Sequence, residues 1–326
     1  MRLLVTGGCG FIGSNFIRYV LEHYQPEIIT NVDALTYAGS LESTTDFLPE
    51  FGDRYEFFRS DIADLGRIDE VLSKHSYFAV VNFAAESHVD RSIASPENFI
   101  HTNIVGTSNL LDAARRHGVK RFVQISTDEV YGSLGETGRF TEQSPIDPSS
   151  PYSASKGSAD LLVLAAHRTY GQDVVVTRCS NNYGPYQFPE KLVPLAIVRA
   201  LAGEPVPVYG DGLNVRDWIH VEDQCAAVFD VLIQGRAGEI YNVGADTERK
   251  NLDLVRTILA HLGKGEELIE FVRDRPGHDR RYAIDSSKIR AEIGWKPLHN
   301  LERGLAETIE WYRQNEPWWR EVQRLR

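Results

Sequence analysis

The chain has 326 residues, of which 42% are hydrophobic, and its formal net charge at pH 7 is -11. This length and apolar content allow a large buried core, built as one α/β domain or two smaller ones, and argue against disorder. The negative charge argues against a nucleic-acid groove, although a local basic pocket for a small anion remains compatible with it.

The N-terminal residues lead directly into an apolar strand and a glycine-rich loop, without the apolar core of a signal peptide, and no apolar run approaches membrane-spanning length. The three cysteines, Cys9, Cys179 and Cys225, lie far apart and form neither a C-x-x-C pair nor a zinc spacing. The sequence therefore predicts a cytoplasmic protein with reduced, buried thiols, no metal site, and neither nucleic acid nor membrane as a partner.

Short apolar segments alternate with amphipathic stretches through the first half of the chain. The segments read RLLVTG, EIITNVD, YEFFRSDI, FAVVNFAA, RFVQIST and DVVVTRC. Helices are predicted between most of them, at 13–24, 64–75, 96–117 and 151–170. This alternation predicts an α/β fold with a Rossmann-type, doubly wound parallel sheet.

The segment VTGGCGFIGS follows the first predicted strand and places Gly7, Gly10 and Gly13 in a G-x-x-G-x-x-G spacing. Such glycines let the backbone approach a pyrophosphate at the N-terminus of the next helix. A glycine triplet can also simply end a strand, but Asp33 ends the second strand about 20 residues later, where an acidic side chain binds ribose. Because residues 34–37 contain no arginine for a 2′-phosphate, the pattern predicts NAD rather than NADP.

Two further strand ends could contact the dinucleotide. Asp61 and Ile62 follow the third strand and could reach the adenine, although a solvated aspartate is an equally ordinary interpretation. Residues 82–88, NFAAESH, offer small side chains that would let the dinucleotide pass closely, or that serve helix packing.

Two adjacent carboxylates, Asp128 and Glu129, stand at the end of the fifth predicted strand, in STDEVYG. Burying neighbouring like charges is costly, so the pair needs an explanation; an acidic helix cap is the simplest one. Side chains alternate in an extended strand, and both carboxylates could therefore face one ligand only if the chain turns there.

Tyr152 and Lys156 lie four residues apart in YSASK, at the start of a predicted helix, and therefore on one face of it. A nearby ammonium favours the phenolate and lowers the pKa of a tyrosine from about 10. The spacing occurs by chance on surface helices, but here it follows a glycine loop and a strand-end carboxylate pair. It therefore predicts a proton-transfer device beside a hydride acceptor.

After Cys179 the chain becomes rich in glycine, proline and polar residues, while HVEDQCAAVFDVLIQG predicts a helix and EIYNVG a strand. We expect an NAD-binding domain at 1–178, to which the chain returns around 212–243. A smaller, mixed substrate-binding lobe at 179–326 is interleaved with it. Ligands commonly bind in clefts between such lobes.

The glycine loop together with NFAAESHVDRS, STDEVYG, YSASK and RCSNNYGPYQFPEKLVP resembles the extended short-chain dehydrogenase/reductase family, and within it the dTDP-glucose 4,6-dehydratases. The similarity extends to DRPGHDRRYAID and the closing GWKP. The resemblance implies a lyase of deoxysugar biosynthesis that converts dTDP-glucose to dTDP-4-keto-6-deoxyglucose: NAD oxidises C4, water leaves across C5 and C6, and hydride returns to C6. It also implies a homodimer that pairs through helices 96–117 and 151–170.

The resemblance also implies a role for each reacting residue. Tyr152, assisted by Lys156, takes the C4 hydroxyl proton, and Thr127 holds that hydroxyl. Glu129 removes the C5 proton, and Asp128 protonates the departing C6 hydroxyl. Adjacent like charges in a closed cleft separate two pKa values, which suits one ionised and one protonated carboxyl.

The remaining contacts are carried over by resemblance alone. The cofactor contacts are Gly7, Gly10, Phe11, Ile12, Gly13, Asp33, Thr36, Asp61, Ile62, Phe83, Ala84, Ala85, Thr102, Ser126, Tyr152, Lys156 and Asn182. The substrate contacts are Ser87, Thr127, Asn181, Lys191, Leu192, Pro207, Val208, Tyr209, Arg216, Asn251, Arg275 and His278. Guanidinium groups such as Arg216 and Arg275 can bind phosphate with parallel donors, although either could also form a surface salt bridge.

Several alternatives share part of this pattern. A UDP-glucose 4,6-dehydratase would differ only in the base contacts. A sugar-nucleotide 4-epimerase needs neither a C5 base nor a C6 acid, and a uronic-acid decarboxylase would need a site for the C6 carboxylate. A non-catalytic NAD-binding regulator would have no use for Asp128, Glu129, Tyr152 and Lys156 together.

Overall fold

The computed structural model describes residues 1–324. The strands are β1 (Arg2–Thr6), β2 (Ile28–Asp33), β3 (Tyr55–Arg59), β4 (Ala79–Asn82), β5 (Arg121–Thr127), β6 (Val174–Cys179), β7 (Asn181–Tyr183), β8 (Val206–Tyr209), β9 (Val215–His220), β10 (Ile240–Val243), β11 (Glu248–Lys250) and β12 (Ile269–Val272). The α-helices are α1 (Phe11–His23), α2 (Leu48–Phe51), α3 (Leu65–Leu72), α4 (Val89–Ala94), α5 (Glu97–Phe99), α6 (Thr107–Arg116), α7 (Pro151–Tyr170), α8 (Leu192–Ala202), α9 (Val221–Gln234), α10 (Asn251–His261), α11 (Ser287–Glu292), α12 (Leu301–Gln314) and α13 (Glu316–Arg324).

The centre of the molecule is a seven-stranded parallel sheet in the order β3-β2-β1-β4-β5-β6-β10. Its strands are apolar on both faces, as a sheet covered by helices on both sides requires. Leu3 and Val5 pack against α1 and α9, whereas Leu4 packs against α3, α6 and α7. The predicted Rossmann-type fold is therefore confirmed, and β10, within the predicted segment EIYNVG, joins this sheet beside β6.

The strand order reverses between β1 and β4, which are neighbours although two strands separate them along the chain. A crevice forms at such a switch point, beyond the carboxyl ends of the strands. The loops that follow β1, β4 and β5 open into this crevice.

A smaller lobe lies beside this edge of the sheet. It contains the mixed three-stranded sheet β7-β9-β11 and the parallel pair β8-β12. Its core joins β7, β8 and β9 with α8, α10, α12 and α13 through Tyr183, Ile197, Trp218, Ile258 and Leu305.

The helix predicted at 96–117 is interrupted. Between α5 and α6 the chain forms a π-helical segment, Ile100–Gly106. Such segments within a helix often occur at functional sites. Asn103 is buried there; its amide bonds to the backbone of Glu86 at 2.9 and 3.0 Å and to the Ser155 hydroxyl at 2.8 Å. Such long-range contacts cannot be read from helical periodicity.

Among residues 1–324, no helix has the length and apolar content that crossing a membrane requires.

Candidate active site

One cleft between the central sheet and the smaller lobe brings the predicted residues together. All of those named above for catalysis, cofactor and substrate line it. Their roles stay predictions, but the fold places the glycine loop, the carboxylate pair, the Tyr-Lys pair and the arginines of the smaller lobe around a single space.

The glycine loop at one end of the cleft has no room for side chains. Gly7 has φ +69°, and a Cβ there would lie 2.6 Å from the amide nitrogen of Ala84. A Cβ on Gly13 would lie 2.2 Å from the Gly7 carbonyl oxygen. Helix α1 follows at once, and its N-cap Gly10 has no side chain to satisfy the first backbone N–H groups. This cradle fits a dinucleotide pyrophosphate.

Asp33 lies at the end of β2, as predicted for a ribose contact. Its carboxylate accepts hydrogen bonds from the amides of Cys9 at 2.9 Å and Leu35 at 2.7 Å. It therefore also holds the glycine loop in place. Asp61 accepts from the amide of Ala63 at 2.8 Å, and this fixes the turn after β3.

The chain turns immediately after β5, at the carboxylate pair. Residues Asp128–Tyr131 form a 3-10 turn, and the Thr127 hydroxyl accepts from the amide of Glu129 at 3.3 Å. The same hydroxyl donates to Oδ1 of Asp128 at 3.4 Å. Both carboxyls line the cleft, so the turn supplies the geometry that an extended strand would deny.

The two carboxyls have different surroundings. Asp128 is buried, and burial followed by the charges of Glu129 and Asp217 holds its pKa well above the usual range. Burial also raises the pKa of Glu129, but Arg275 and Lys191 oppose that rise. The asymmetry favours a protonated Asp128 beside an ionised Glu129.

Tyr152 and Lys156 emerge from the first turns of α7, which starts at a Ser150–Ser153 capping box. Lys156 is buried and donates from Nζ to the carbonyl of Ile125 at 2.6 Å. Burial, and then the charge of Glu129, raise the pKa of Tyr152 well above its usual range. The sequence predicted a lowered pKa here. The difference arises because burial and the neighbouring Glu129 both raise the pKa of the phenol, and the hydrogen bond with Thr127 opposes this rise only in part.

Three cations face the cleft from the side of the smaller lobe. Lys191 Nζ donates to the carbonyl of Ser87 at 2.8 Å. The Arg216 guanidinium donates to the carbonyl of Asp279 at 2.9 Å and stacks over the Tyr282 ring at 4.1 Å. Arg275 lies 3.9 Å from Asp90, and its Nε is buried without a hydrogen-bond partner within residues 1–324. A positive region of this kind suits an anionic ligand.

Several polar atoms lining the cleft are buried without a hydrogen-bond partner in the described part of the chain. They are Ser126 Oγ, Asp128 Oδ2, Asn181 Oδ1, Asn182 Oδ1 and Asn251 Oδ1. Buried polar atoms normally find partners, so this set indicates places where a ligand bonds.

Other cleft residues were not singled out from the sequence. His88, Asp90, Glu190 and Tyr282 line the cleft although no pattern within their segments distinguished them. Each lies inside a segment that carries the family resemblance, and this position is the one sequence signal that could have identified it.

A cluster outside the cleft resembles a metal site in composition. Ligand atoms of His220, Glu222 and His299 lie within 4.8 Å of one another. The two imidazoles, however, are stacked with centroids 4.1 Å apart and planes 26° apart, so their nitrogens do not converge on one point. His299 instead pairs with Asp223 at 3.2 Å, which makes the cluster an ion-paired contact beside α9.

Comparisons with known proteins agree on one family. A family model described as GDP-mannose 4,6 dehydratase matches residues 4–308. The chain is 51% identical to a dTDP-glucose 4,6-dehydratase of Neisseria meningitidis, over 98% of this chain and 96% of that protein. The crystal structure of the dTDP-glucose 4,6-dehydratase DesIV from Streptomyces venezuelae, with NAD and TYD bound, has a TM-score of 0.95 and 48% identity and covers 99% of this chain and 100% of that one.

A UDP-glucose 4-epimerase of Thermotoga maritima with UDP-glucose is a more distant neighbour, with a TM-score of 0.90 and 30% identity over 97% of this chain and 100% of that one. The fold alone therefore does not separate the two activities, but the sequence identity favours the dehydratases.

Proposed function

This chain belongs to the dTDP-glucose 4,6-dehydratases of the extended short-chain dehydrogenase/reductase family, and we propose from that premise that it converts dTDP-glucose to dTDP-4-keto-6-deoxyglucose as an NAD-dependent lyase. NAD would lie along the glycine loop and the ends of β2, β3 and β5, near Asp33, Asp61 and Ser126. When bound, it supplies the oxidation at C4 and the reduction at C6.

Tyr152 takes the C4 hydroxyl proton in this proposal. Thr127 supplies a hydroxyl that orients the sugar, and Lys156, bonded to Ile125 at 2.6 Å, places a positive charge on the same face of α7 as Tyr152. Tyr152 can take the C4 hydroxyl proton only as the phenolate, after releasing its own proton. Because its pKa is raised, the phenolate depends on the positive charge of Lys156.

The carboxylate pair then removes water. The new C4 ketone acidifies the C5 proton, which Glu129 accepts; Lys191 and Arg275 favour the ionised base. Asp128 gives a proton to the departing C6 hydroxyl, and its burial favours the protonated form that this step needs. Adjacent carboxyls with separated pKa values can divide acid and base roles in this way.

Substrate capture is assigned to the side of the smaller lobe. We propose that Lys191, Arg216 and Arg275 bind the diphosphate, since Arg216 is fixed by its bond to Asp279 and stacking on Tyr282. The base would lie near β8, and Ser87 near the sugar. In this division residues 1–178, together with α9 and β10, hold NAD, and the rest of the segment 179–326, with β9 and Arg216, holds the nucleotide sugar.

The observation that carries the assignment is the turn that puts Asp128 and Glu129 into one cleft with Tyr152. A 4-epimerase or a non-catalytic regulator has no step that uses this pair. A UDP-glucose dehydratase would use it equally, so the identity of the base depends on experiment.

The decisive experiment incubates the purified protein with dTDP-glucose, or with UDP-glucose in a parallel tube, and follows the sugar nucleotide by mass spectrometry. Loss of one water without net consumption of NAD is expected, faster with dTDP-glucose. A new isomer of unchanged mass would indicate an epimerase instead, and faster loss from UDP-glucose would reassign the base.

We also propose a homodimer in the cytoplasm. Ile93, Ile100, Val105 and Leu161 are exposed on α4, the π-helical segment and α7, elements that pack against one another and offer an apolar surface to a second copy. All three thiols are free and buried, which suits a reducing compartment. Light scattering should give twice the chain mass; Leu161→Arg should give monomers, and a monomeric wild type would refute the dimer.

A further inference from the structure

Asp160 lies on α7 four residues after Lys156, so the two side chains are neighbours on one face of the helix. It is fully buried, and its Oδ2 accepts a hydrogen bond from Arg178 Nε at 2.8 Å. Arg178 belongs to β6, is buried as well, and lies over the Tyr131 ring at 4.7 Å. The bond to Arg178 uses one carboxylate oxygen, and Oδ1 stays outside that ion pair.

The Lys156 ammonium needs a negative partner because it is almost completely buried. Its bond to the Ile125 carbonyl supplies an acceptor but no charge. An uncompensated buried ammonium tends to lose its proton. Burial accordingly lowers the pKa of Lys156, and Asp160 and Cys179 act in the opposite direction.

The groups around Lys156 leave Asp160 as the source of that charge. Cys179, on β6, has its pKa raised to about 12 and is neutral. Tyr152, on the same helix, has a pKa well above its usual range and is neutral at rest. Arg178, also on β6, is a cation. The turn after β5 contributes Asp128, whose burial favours the protonated form, and Glu129, which is surrounded by the cations of the smaller lobe.

We propose that Asp160 is the counter-ion of Lys156, a positioning residue that keeps the ammonium of Lys156 protonated in the cleft. Arg178 holds the carboxylate in place, and Lys156 in turn stays charged beside Tyr152. The inference deepens the proposed function, because it rests on Lys156 assisting Tyr152 in that reaction.

The test measures the protonation of Lys156 directly, in protein labelled with carbon-13 at lysine Cε. The Lys156 resonance is assigned from its loss in Lys156→Met, and its titration midpoint is followed by NMR. We expect Asp160→Asn to lower the midpoint by about one pH unit. Asp160→Asn also leaves the buried Arg178 without its ion-pair partner. The double variant Asp160→Asn/Arg178→Gln is therefore measured as well and should show the same shift of the Lys156 midpoint. Arg178→Gln alone keeps the carboxyl group but removes the cation that most opposes the rise of its pKa on burial, so the midpoint should fall by less than in Asp160→Asn or not at all.

Turnover of dTDP-glucose against pH supplies a second readout, since a purely structural effect would lower activity equally at every pH. The alkaline limb of the profile should move to lower pH in both variants that lack Asp160. An unchanged Lys156 midpoint in those variants, or an equal fall in Arg178→Gln, would overturn the proposal. If the wild type does not dehydrate dTDP-glucose, the proposed function fails, while the NMR titration still decides the role of Asp160.

Discussion

Replacing the two adjacent carboxyls one at a time should stop the reaction at two different points. Glu129→Gln and Asp128→Asn keep the shape of each side chain but remove its ability to exchange a proton. A positioned acid or base contributes about 10²–10⁴-fold to a rate, equivalent to about 3–5 kcal/mol of barrier. Each variant should therefore eliminate water from the substrate about 10²–10⁴-fold more slowly, while oxidation at C4 continues.

The surroundings of Tyr152 make the prediction sharper. Glu129 is the charged neighbour that raises the pKa of this phenol most, whereas Asp128 is not among the main contributors. Removing the Glu129 charge should therefore lower the pKa of Tyr152 and move the acid limb of C4 oxidation to lower pH. Asp128→Asn should leave that limb in place.

The assay combines stopped-flow absorbance of reduced nicotinamide with mass spectrometry in deuterated water. Asp128→Asn should exchange the C5 hydrogen for deuterium without losing water, since its base is intact. Glu129→Gln should do neither, although reduced cofactor accumulates in both. Wild-type rates of C5 exchange in Glu129→Gln would refute the assignment of the base, and so would an unshifted acid limb.

Three further changes test the diphosphate contact, the glycine loop and the stability of the fold. Arg216→Lys removes the stacked, forked donor and should raise the KM for dTDP-glucose about 10- to 100-fold, with a smaller change in kcat; an unchanged KM would place the diphosphate elsewhere. Gly13→Ala puts a methyl 2.2 Å from the Gly7 carbonyl and should weaken NAD binding in calorimetry at least about tenfold, whereas Gly52→Ala, with open space around it, should not. Asp217 is buried and its pKa is raised from 3.8 to about 6, so the folded state binds more protons than the unfolded state between these values and loses stability as pH rises. Asp217→Asn should therefore be more stable by about 2–3 kcal/mol in urea unfolding at pH 7, and the gain should vanish below pH about 4; a constant gain would contradict this linkage.

The catalytic residues proposed above show which features of a site a local sequence pattern can predict. The spacing of Tyr152 and Lys156 fixed their common helix face, because helical geometry depends on neighbours along the chain. The pKa of Tyr152 did not follow from that spacing, since burial depends on the strands and loops packed around it. Likewise, adjacency placed Asp128 beside Glu129, but only the turn capped by Thr127 directs both carboxyls into the cleft.

The sequence by itself determined the elements whose signals are local: the apolar strands, the glycine loop after β1 and the position of Asp33 at the end of β2. These depend on side-chain periodicity and on the backbone freedom of glycine, which a short segment already contains. The tertiary structure decided what distant segments do to one another, such as the π-helical interruption at Asn103 and the buried pairing of Asp160 with Arg178. Burial and ion pairing arise only when strands and helices far apart in the chain pack together. Because they determine which groups of this site are charged, the sequence pattern alone could not predict those charges.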